Sequence, residues 1–407
     1  MTDPALPAQC DVLVVGAGPA GSACAQWLAQ RGVDVVLVDQ HAFPRDKVCG
    51  DGLIPDAHHA LERMGVRDEV MAQAEPVAHV GCIGPRGGRI DVPGQLAVLQ
   101  RRLLDDILKR AAERAGARFF APLRFLAPLI EGDRVVGARL NGADGAHELR
   151  ARWVVLATGA VPQALIAAGM CERQTPDAIA LRGYVRNPAM VGRIRALEVV
   201  WHKRLRRGYG WIFPCPGGVF NIGVGLVHSH GRGGDGHGTM QDVNLREIFA
   251  AFTEVHGHAR ELMAGGEALG PLKGAPLRCS LAGARYARPG LLVTGEAAGS
   301  TYAFTGEGIG KAMETGLLAA ETLLGETADD AVMARYSAAL LALKPRFDLY
   351  ERANRVNDHP WLADLLIWRA QRSARILRRM ANVLEEKGNP GNLVSVRGIV
   401  RLFVPIR

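Results

Sequence analysis

Near its amino terminus the chain reads DVLVVGAGPAGSACAQWLAQRGVDVVLVD from Asp11 to Asp39. The apolar run before Gly16 has the length of a buried strand, and the residues after Gly21 predict a helix. Strand, tight turn and helix therefore follow one another directly. In a G-x-G-x-x-G turn of this kind, Gly16 permits the turn, Gly18 lets the backbone approach a pyrophosphate and Gly21 lets helix and strand pack closely. The free N–H groups at the start of the helix favour negative charge.

The second predicted strand, from Val33 to Val38, ends in an acidic residue. Asp39 follows Gly21 by 18 residues, close to the spacing at which a carboxylate receives the ribose hydroxyls of an adenine dinucleotide. A glycine-rich turn alone is weak support for a nucleotide site. Because the strand, the helix and the acid are all present, we interpret residues 11–39 as a dinucleotide-binding unit.

Three later segments carry related patterns. Residues 101–112 form an amphipathic helix of R-x-x-L-D-x-x-L type, and residues 153–159 form a buried strand that ends in a small turn. Residues 291–310 again run from a strand through Gly-rich turns into a helix. Each segment alone is compatible with ordinary loop structure, so their common function rests on their occurring together.

Bulk composition excludes several classes of protein. The 407 residues are 48% hydrophobic and 22% charged, as in a globular enzyme. The seven cysteines include no C-x-x-C pair, which argues against a disulfide framework and a zinc site. No apolar run approaches the roughly 20 residues that cross a bilayer, and the first residues lack a signal-peptide pattern. We expect no metal site, a cytoplasmic location and no nucleic-acid partner. The Gly-rich stretch around His228, His230 and His237 predicts a surface loop.

The positive charge concentrates at the carboxyl end. The net charge is +8, and residues 361–407 hold nine basic and three acidic side chains, a net of +6. Apolar residues recur at helical spacing, with Arg372, Arg375 and Arg379 on the other side. The pattern predicts a basic amphipathic helix, which either contacts an anionic membrane surface at the inner face or docks on its own domain. The apolar residues are Leu362, Leu366, Ala370, Leu377, Ala381 and Leu384.

Together these segments resemble the flavoprotein hydroxylase and reductase superfamily, whose members share them in this order. The resemblance implies FAD as cofactor, with Arg101 reaching it, Ala157 to Gly159 beside the adenosine, and Gly295 and Glu296 at the ribityl or pyrophosphate portion. Gly306, Gly308 and Ile309 would cover the isoalloxazine ring. The sequence departs from the usual pattern at Glu296, where Asp is usual, and at Ala303, where Pro is common.

The same resemblance implies the fold. We expect an α/β protein whose Rossmann-like FAD-binding domain is interleaved with an antiparallel β-sheet substrate domain, as in glutathione-reductase-like proteins of the hydroxylase type. The FAD-binding domain would comprise residues 1–80, 100–165 and 280–330. The substrate domain would comprise residues 81–99 and 166–279, and a helical segment would follow at residues 331–407.

Two motifs narrow the resemblance to one branch. The first is FPRDKVCGDGL at residues 43–53, and the second is YGWIFP at residues 209–214. They resemble the geranylgeranyl reductase family, which pairs K-x-C-G with Y-x-W-x-F-P, and Arg182-Gly-Tyr184 also fits that family's sheet. The form Cys-Gly-Asp-Gly-Leu is particularly similar to reductases that act on the isoprenoid tails of quinones.

By this resemblance the chain would use reduced FAD to saturate C=C bonds of a polyprenyl chain. An isolated alkene needs both hydride and proton in a site shielded from water. Tyr209, Trp211 and Phe213 alternate along a predicted strand and so share one face. They either line a tunnel or pack the sheet against the FAD domain, and the resemblance favours the tunnel. Cys49 is either a small buried residue or a group near the flavin that modulates proton delivery.

The resulting site assignment is as follows. The expected catalytic residues are Cys49, Tyr209 and Trp211. Further expected FAD contacts are Arg45, Cys49 and Gly50, besides Gly16, Gly18, Gly21 and Asp39. The expected substrate contacts are Tyr209, Trp211, Phe213 and Pro214.

Two rival functions stay open at this point. A flavin-dependent monooxygenase or halogenase acting on an aromatic or other small molecule has a related scaffold, although halogenases carry W-x-W-x-I-P where this chain has Tyr209 and Phe213. The other is a non-catalytic flavoprotein that binds a lipid or a partner through its basic carboxyl-terminal segment. The sequence contains no second G-x-G-x-x-G in a strand context, so the electron donor is either NAD(P)H or a reduced redox protein.

Overall fold

Two β-sheets form the centre of the molecule, one mostly parallel and one mostly antiparallel. The computed structural model describes residues 5–205, 207–227 and 244–390. The strands are β1 (Gln9–Val15), β2 (Val35–Val38), β3 (Gly52–Leu53), β4 (Glu75–Ile83), β5 (Arg89–Val98), β6 (Arg118–Phe120), β7 (Arg124–Glu131), β8 (Arg134–Gly142), β9 (Gly145–Leu156), β10 (Ala178–Arg186), β11 (Leu197–Val200), β12 (Gly208–Cys215), β13 (Val219–Val227), β14 (Glu267–Ala268), β15 (Lys273–Leu277), β16 (Ala287–Arg288) and β17 (Leu291–Val293).

Helices cover the sheets and make up most of the described residues from Ile309 onward. They are α1 (Pro19–Ala29), α2 (Pro55–Arg63), α3 (Arg67–Met71), α4 (Arg101–Arg114), α5 (Gln163–Ala167), α6 (Leu245–Val255), α7 (Gly257–Gly265), α8 (Ile309–Gly325), α9 (Asp329–Ala353), α10 (Arg355–Asp358), α11 (Trp361–Ala370) and α12 (Ala374–Leu384).

The parallel sheet has the strand order β16-β17-β9-β1-β2-β6. Strand β8 branches from this order by pairing with the first half of β9, and β7 pairs with β8. The strands β17, β9, β1, β2 and β6 run parallel. Their apolar side chains are buried on both faces, as a covered parallel sheet requires. The carboxyl ends of β1, β2, β9 and β17 therefore meet at one edge, where α1 begins.

The antiparallel sheet has the order β14-β10-β13-β12-β11-β4-β5-β3, with β15 also paired to β10. One face packs on α6 and α7 through Ile212, Phe220 and Phe252. The side chains that alternate with these lie on the other face, which is directed toward the parallel sheet. The space between the two sheets is where the site described below lies.

The carboxyl-terminal stripe is split between two helices rather than carried by one. Helix α11 ends at Ala370, and α12 begins at Ala374. Leu362 and Ala370 are buried, whereas Leu377, Ala381 and Leu384 are only partly buried. The prediction of a single continuous helix was wrong because the segment turns at residues 371–373 to pack on the body of the protein.

The expected fold class is confirmed, with a parallel sheet, an antiparallel sheet and carboxyl-terminal helices. The division into FAD-binding, substrate and tail domains stays a prediction. One strand of the antiparallel sheet, β3, lies ahead of the expected boundary at residue 81, and β4, which spans Glu75–Ile83, crosses it. The histidine-containing loop, with His228, His230 and His237, and residues 391–407 lie outside the described part of the chain. Among the described residues, no helix has both the length and the apolar character that crossing a bilayer demands.

Candidate active site

The amino-terminal glycines form a turn with no room for side chains. Gly16 has φ +103°, and a Cβ there would lie 2.4 Å from the carbonyl oxygen of Ala157. A Cβ on Gly21 would lie 1.8 Å from the carbonyl oxygen of Gly16. The strand β1, the start of α1 and the end of β9 are therefore packed backbone against backbone. This close packing presents the N-terminus of α1 to the space above the sheet.

Two arginines lie over the open face of this turn. A Cβ on Gly18 would be 3.5 Å from a guanidinium nitrogen of Arg45 and 3.8 Å from one of Arg101. Arg101 forms a two-pronged ion pair with Asp105, at 2.7 and 2.9 Å, and Arg45 Nη1 lies 2.9 Å from the same carboxylate. Because Asp105 is fully buried, it fixes both guanidinium groups in place. Two fixed positive charges and a helix N-terminus then face Gly18, which suits a pyrophosphate.

Asp39 lies at the end of β2, beside this turn. Its carboxylate accepts hydrogen bonds from the backbone N–H groups of Ala17 and His41, both at 2.9 Å. It also lies 3.6 Å from Arg45 Nε. The side chain thus faces the turn from the direction expected for a ribose-binding acid.

A cavity of about 690 Å³ extends from this region toward the antiparallel sheet, and we call it the nucleotide cavity. Its volume lies within the range of small-molecule and cofactor sites. The residues present fit FAD, since the bare backbone at Gly18 faces two guanidinium groups. The buried hydroxyl of Thr158, which lines the cavity, has no hydrogen-bond partner among the described residues. Its lining includes Gly16, Gly18, Asp39, Arg45, Cys49, Gly50, Arg101, Ala157, Gly159, Tyr209, Trp211, Glu296, Gly306, Gly308 and Ile309.

The Cys49 loop is held by a polar network behind it. Asn221 donates from Nδ2 to the carbonyl oxygen of Cys49 at 2.8 Å and to Asp51 Oδ2 at 2.7 Å, and its Oδ1 accepts from the indole N–H of Trp211 at 2.8 Å. The hydroxyl of Tyr184 also donates to Asp51 Oδ2, at 2.5 Å. The loop and the aromatic strand are therefore fixed to each other.

Asp51 is an unusual residue at this position. It is fully buried and has φ 65°, a left-handed conformation that costs most side chains free energy but that Asp tolerates. Burial raises the pKa of its carboxyl to about 6, although Tyr184, Arg182 and Asn221 act in the opposite direction. The turn at Asp51 aims the Cys49–Gly50 backbone at the nucleotide cavity.

The aromatic strand β12 has the alternation that its sequence predicts. Tyr209, Trp211 and Phe213 point to one face, whereas Ile212 points into the core on the other. The indole of Trp211 lies across β13, where a Cβ on Gly223 would be only 2.2 Å from it. The hydroxyl of Tyr209 donates to the carbonyl oxygen of Thr305 at 2.5 Å. The strand thereby holds the turn that precedes α8.

A second cavity, of about 260 Å³, lies on this face of the antiparallel sheet, and we call it the apolar cavity. Aromatic and aliphatic side chains supply most of its wall. Those from the sheet include Leu197, Val199, Trp201, Trp211 and Phe213. Those from the carboxyl-terminal helices include Ala353, Val356, Leu366, Ile367, Met380, Val383 and Leu384.

The two cavities share one wall. The shared residues are Cys49, Gly50, Tyr209, Trp211, Gly306, Gly308 and Ile309. They are the residues for which the family resemblance implies contact with the flavin ring or the substrate. An elongated cofactor in the first cavity would therefore place its far end against an oily compartment.

Among the described residues, three that were expected in the site line neither cavity. Gly21 and Gly295 instead make room for packing, since a Cβ on Gly295 would lie 2.6 Å from Cβ of Ala20. Pro214 pairs with Phe220 on β13 and lies on the opposite side of β12 from Phe213. The strand alternation that directs Phe213 inward directs Pro214 away. Glu296 does line the nucleotide cavity, 4.0 Å from Lys47 Nζ.

Sequence reasoning missed several residues of the site. Asp105 was signalled by its place four residues after Arg101 within a helix, a spacing that brings the two side chains together. Asn221, Trp201 and Phe304 carried no such signal, because their role depends on strand pairing and on helices that are distant in sequence. The carboxyl-terminal helices that form part of the wall of the apolar cavity also carried no such signal.

A cluster on the other face of the antiparallel sheet is separate from these cavities. The ligand atoms of Glu198, His256 and His258 lie within 4.8 Å of one another, a grouping able to hold a metal ion. Arg89 Nη1 lies 2.5 Å from the buried carboxylate of Glu198 and supplies a positive charge there. Hydrogen bonds from Arg89 and both histidines lower the pKa of Glu198 to about 2 against the effect of its burial. The arrangement is that of a neutralised buried carboxylate.

Comparison with known proteins agrees with this geometry. Residues 9–181 match the FAD binding domain family. Menaquinone reductase of Mycobacterium tuberculosis is 34% identical over 355 residues, covering 82% of this chain and 79% of that protein. Digeranylgeranylglycerophospholipid reductase 1 of Methanopyrus kandleri is 31% identical over 332 residues, covering 80% and 83%. A geranylgeranyl bacteriochlorophyll reductase-like structure from Thermoplasma acidophilum superposes with TM-score 0.71 at 22% identity, covering 97% and 95%.

The fold and the nucleotide cavity define an FAD-dependent oxidoreductase of the hydroxylase-like structural class. Within that class, the extent and identity of the match to the two reductases decide the branch. The chain belongs to the geranylgeranyl reductase family.

Proposed function

We propose that this protein saturates C=C bonds in the polyprenyl chain of a quinone or other lipid, using reduced FAD. The observation that carries the proposal is the wall shared by the nucleotide and apolar cavities. An apolar compartment that adjoins the far end of a dinucleotide site is what an alkene without polar groups would need. The relatives named above as reductases of menaquinone and of digeranylgeranylglycerophospholipid support the same reaction class.

In this proposal the residues of the shared wall position the two reactants. Bound FAD in its reduced form would supply hydride to one alkene carbon. Tyr209 and Trp211 would orient the prenyl chain, and Phe213 would exclude water from it. Cys49 would modulate proton delivery, since its loop is fixed by Asn221 against the shared wall. The arginine pair at Gly18 and the carboxylate of Asp39 would hold the cofactor.

Anaerobic reoxidation tests the proposed function. The bound FAD is reduced chemically without oxygen, a geranylgeranyl compound is added, and the flavin absorbance is followed. We expect the oxidised spectrum to return together with a product that carries two more hydrogen atoms. Reoxidation by oxygen alone, with peroxide or a hydroxylated or halogenated aromatic product, would instead establish the monooxygenase or halogenase alternative.

We further propose that either NAD(P)H or a reduced redox protein supplies the electrons. Stopped-flow mixing of the oxidised holoprotein with NADPH, with NADH or with reduced ferredoxin separates these donors. The donor that bleaches the flavin within the turnover time is the physiological class.

We also propose peripheral contact with the inner face of the membrane through the carboxyl-terminal helices. Helix α11 exposes Trp361 and Trp368, with 58% and 42% of their surfaces accessible. On α12, Arg375, Arg378 and Arg379 are exposed, whereas Met380 and Leu384 face the apolar cavity. Exposed tryptophans with nearby arginines suit a headgroup region. A substrate could then pass from the lipid into the cavity that these helices cover.

A further inference from the structure

The apolar cavity contains few groups that can hold a proton. Of the titratable side chains in its wall, Asp51 already accepts hydrogen bonds from Tyr184 and Asn221. The hydroxyl groups of Tyr209 and Tyr350 donate to the carbonyl oxygens of Thr305 and Val383. Burial raises the pKa of both tyrosines and holds them neutral. The titratable residues of this wall are Cys49, Asp51, Cys82, Tyr209, Glu307 and Tyr350.

Glu307 has a different position from the rest. It stands between Gly306 and Gly308, which line both cavities, and it lines the apolar cavity. It lies two residues before the first residue of α8, whose N-terminus carries no side-chain cap. Its carboxyl is close enough to Tyr209 to raise the pKa of that phenol. A carboxyl is thus located at the boundary where a flavin ring and a prenyl chain would meet.

A buried charge cluster lies behind Glu307. Lys311 Nζ lies 2.5 Å from Glu314, 2.9 Å from Glu386 and 3.8 Å from Asp56. Asp56 packs on the first turn of α8, since a Cβ on Gly310 would lie 2.3 Å from its carboxyl carbon. Three carboxyls therefore surround one lysine, whose charge also acts on Glu307, and Arg346 is the second cation, at 2.8 Å from Glu386. Ionising Asp56 and Glu307 together is unfavourable, because both carboxyls are buried and their charges repel each other.

The consequence is that the cluster retains protons near neutral pH. Burial, and secondarily repulsion from Asp56, raise the pKa of Glu307 to about 8. Burial also raises the pKa of Asp56 to about 7, although Lys311 opposes the shift. A carboxyl that is protonated at pH 7 and deprotonates slightly above it is matched to work as a general acid.

We propose that Glu307 is the proton donor in alkene reduction, a role that rests on the function proposed above. Its O–H bond breaks as hydride from reduced FAD forms a C–H bond at one alkene carbon, and the π electron pair takes the proton at the other carbon. The products are the saturated chain, oxidised FAD and the Glu307 carboxylate. The electrons come from the donor that reduces FAD, and the proton comes from Glu307.

The cluster is graded in exposure from the cavity toward solvent. The exposed fraction of the side chains rises from 3% for Lys311 and 5% for Asp56 to 13% for Glu386 and 28% for Glu314. Asp56 lies at the inner end of this series and Glu314 at the outer end. The cluster therefore extends from buried carboxyls near the cavity to partly exposed ones toward solvent.

The first test compares Glu307→Gln with Glu321→Gln in the holoprotein. Glu321 is on α8, the helix that follows Glu307; 37% of its side chain is exposed, and it is bonded to Arg63 at the surface. We expect E307Q to reduce the single-turnover rate with a geranylgeranyl compound by about 10²–10⁴-fold, and E321Q to leave it unchanged. Both variants should retain FAD and be reduced by dithionite as the wild type is. An E307Q rate within about threefold of the wild type overturns the proposal.

A second readout does not depend on turnover. Because the folded pKa of Glu307 lies above its ordinary value of 4.5, the folded state loses stability as pH rises between these values. E307Q lacks this ionisation, so its Tm should decline less than that of wild type between about pH 5 and pH 8. Identical curves for the two proteins overturn the proposal. The groups that interact with the Glu307 carboxyl are Asp56, Tyr209, Thr305, Lys311, Tyr350 and Glu386.

Asp56→Asn provides the third test. Removing this carboxylate removes a repulsion that raises the pKa of Glu307. The alkaline fall of the single-turnover rate should therefore move to lower pH in D56N, while the rate on the acid side is maintained. An unmoved alkaline limb contradicts the coupling of Asp56 to the donor. Wild-type protein that reduces no prenyl substrate refutes the proposed function itself, a result distinct from an active E307Q.

Discussion

The nucleotide cavity and the apolar cavity share a wall but are built in opposite ways. The first is lined by the bare backbone at Gly16 and Gly18 and by charged side chains that include Arg45, Arg101 and Asp39. The second is lined by aromatic and aliphatic side chains from two sheet regions and the carboxyl-terminal helices. In the proposed function, charge and a bare backbone hold the cofactor, whereas the shape and apolar lining of the second cavity select the substrate. Substitutions in the apolar cavity should therefore leave FAD binding unchanged, and FAD loss should follow only from substitutions in the nucleotide cavity.

The largest effect should follow from filling the glycine turn. Gly16→Ala places a methyl group 2.4 Å from the carbonyl oxygen of Ala157 at φ +103°. Overpacking and backbone strain together should cost about 2–5 kcal/mol, and FAD should be lost from the purified protein. Absorbance of the bound flavin and Tm measure both outcomes.

Gly32→Ala is the matched control for that change. Gly32 also has a positive φ, +80°, but nothing lies within 4 Å of its added Cβ. It should cost only about 1–2 kcal/mol of strain and retain FAD. A G16A protein that binds flavin as well as G32A does would contradict the account of the nucleotide cavity.

The next effect concerns the access side of the apolar cavity. Replacing Arg375, Arg378 and Arg379 by Gln should weaken binding to anionic vesicles on the order of 100-fold at low salt, at about 1 kcal/mol per arginine. FAD content should not change. Co-sedimentation with phosphatidylserine vesicles at low and high salt measures the loss.

Arg110, Arg114 and Arg139 serve as the control set, since they are similarly exposed on another part of the surface. Their replacement by Gln should have little effect on vesicle binding. If the wild type does not sediment with the vesicles at low salt, the membrane proposal is refuted, whereas the assignment of the two cavities does not depend on this result.

A smaller effect should come from narrowing the apolar cavity. Val199 lines it and is only partly buried, so Val199→Phe can extend into the cavity without displacing packed atoms. We expect kcat/KM for a geranylgeranyl substrate to fall about tenfold or more, as expected for a change in pocket volume, with FAD retained. Val191→Phe, at an exposed site, is the control and should match the wild type.

The smallest effect should appear at the shared wall itself. Cys49→Ser keeps a small polar group in the loop held by Asn221, so the rate of prenyl reduction should fall by less than about tenfold, well short of the loss of a proton donor. Single-turnover kinetics measure the rate, with Cys171→Ser as the control. A wild-type rate in C49S would remove Cys49 from the mechanism.

The same contrast explains what the sequence could predict. The nucleotide cavity follows from local motifs, because Gly16, Gly18 and Asp39 lie on consecutive elements of one βαβ unit. Tyr209, Trp211 and Phe213 were predictable as one face because strand alternation is also local. Pro214 was assigned to the substrate through its motif, yet alternation turns it away.

The apolar cavity was less predictable for a physical reason. Trp201, Phe304 and Leu384 meet only after β11, the turn before α8 and α12 have packed together, and no short-range pattern encodes that packing. The division of the carboxyl-terminal stripe into α11 and α12 likewise depends on packing against the body. Glu307 lies within a glycine-rich motif that the sequence shows. The carboxyls that raise its pKa, Asp56 and Glu386, are distant in the sequence, so no local pattern indicates them.

The most direct test of the central claim is the number of double bonds saturated for each flavin oxidised in one anaerobic turnover. Enzyme with fully reduced FAD is mixed with excess geranylgeranyl substrate, and the lipid is analysed by mass spectrometry after the flavin is reoxidised. We predict one saturated double bond for each flavin oxidised. Flavin that stays reduced until oxygen is admitted, with no saturated lipid formed, would contradict the account.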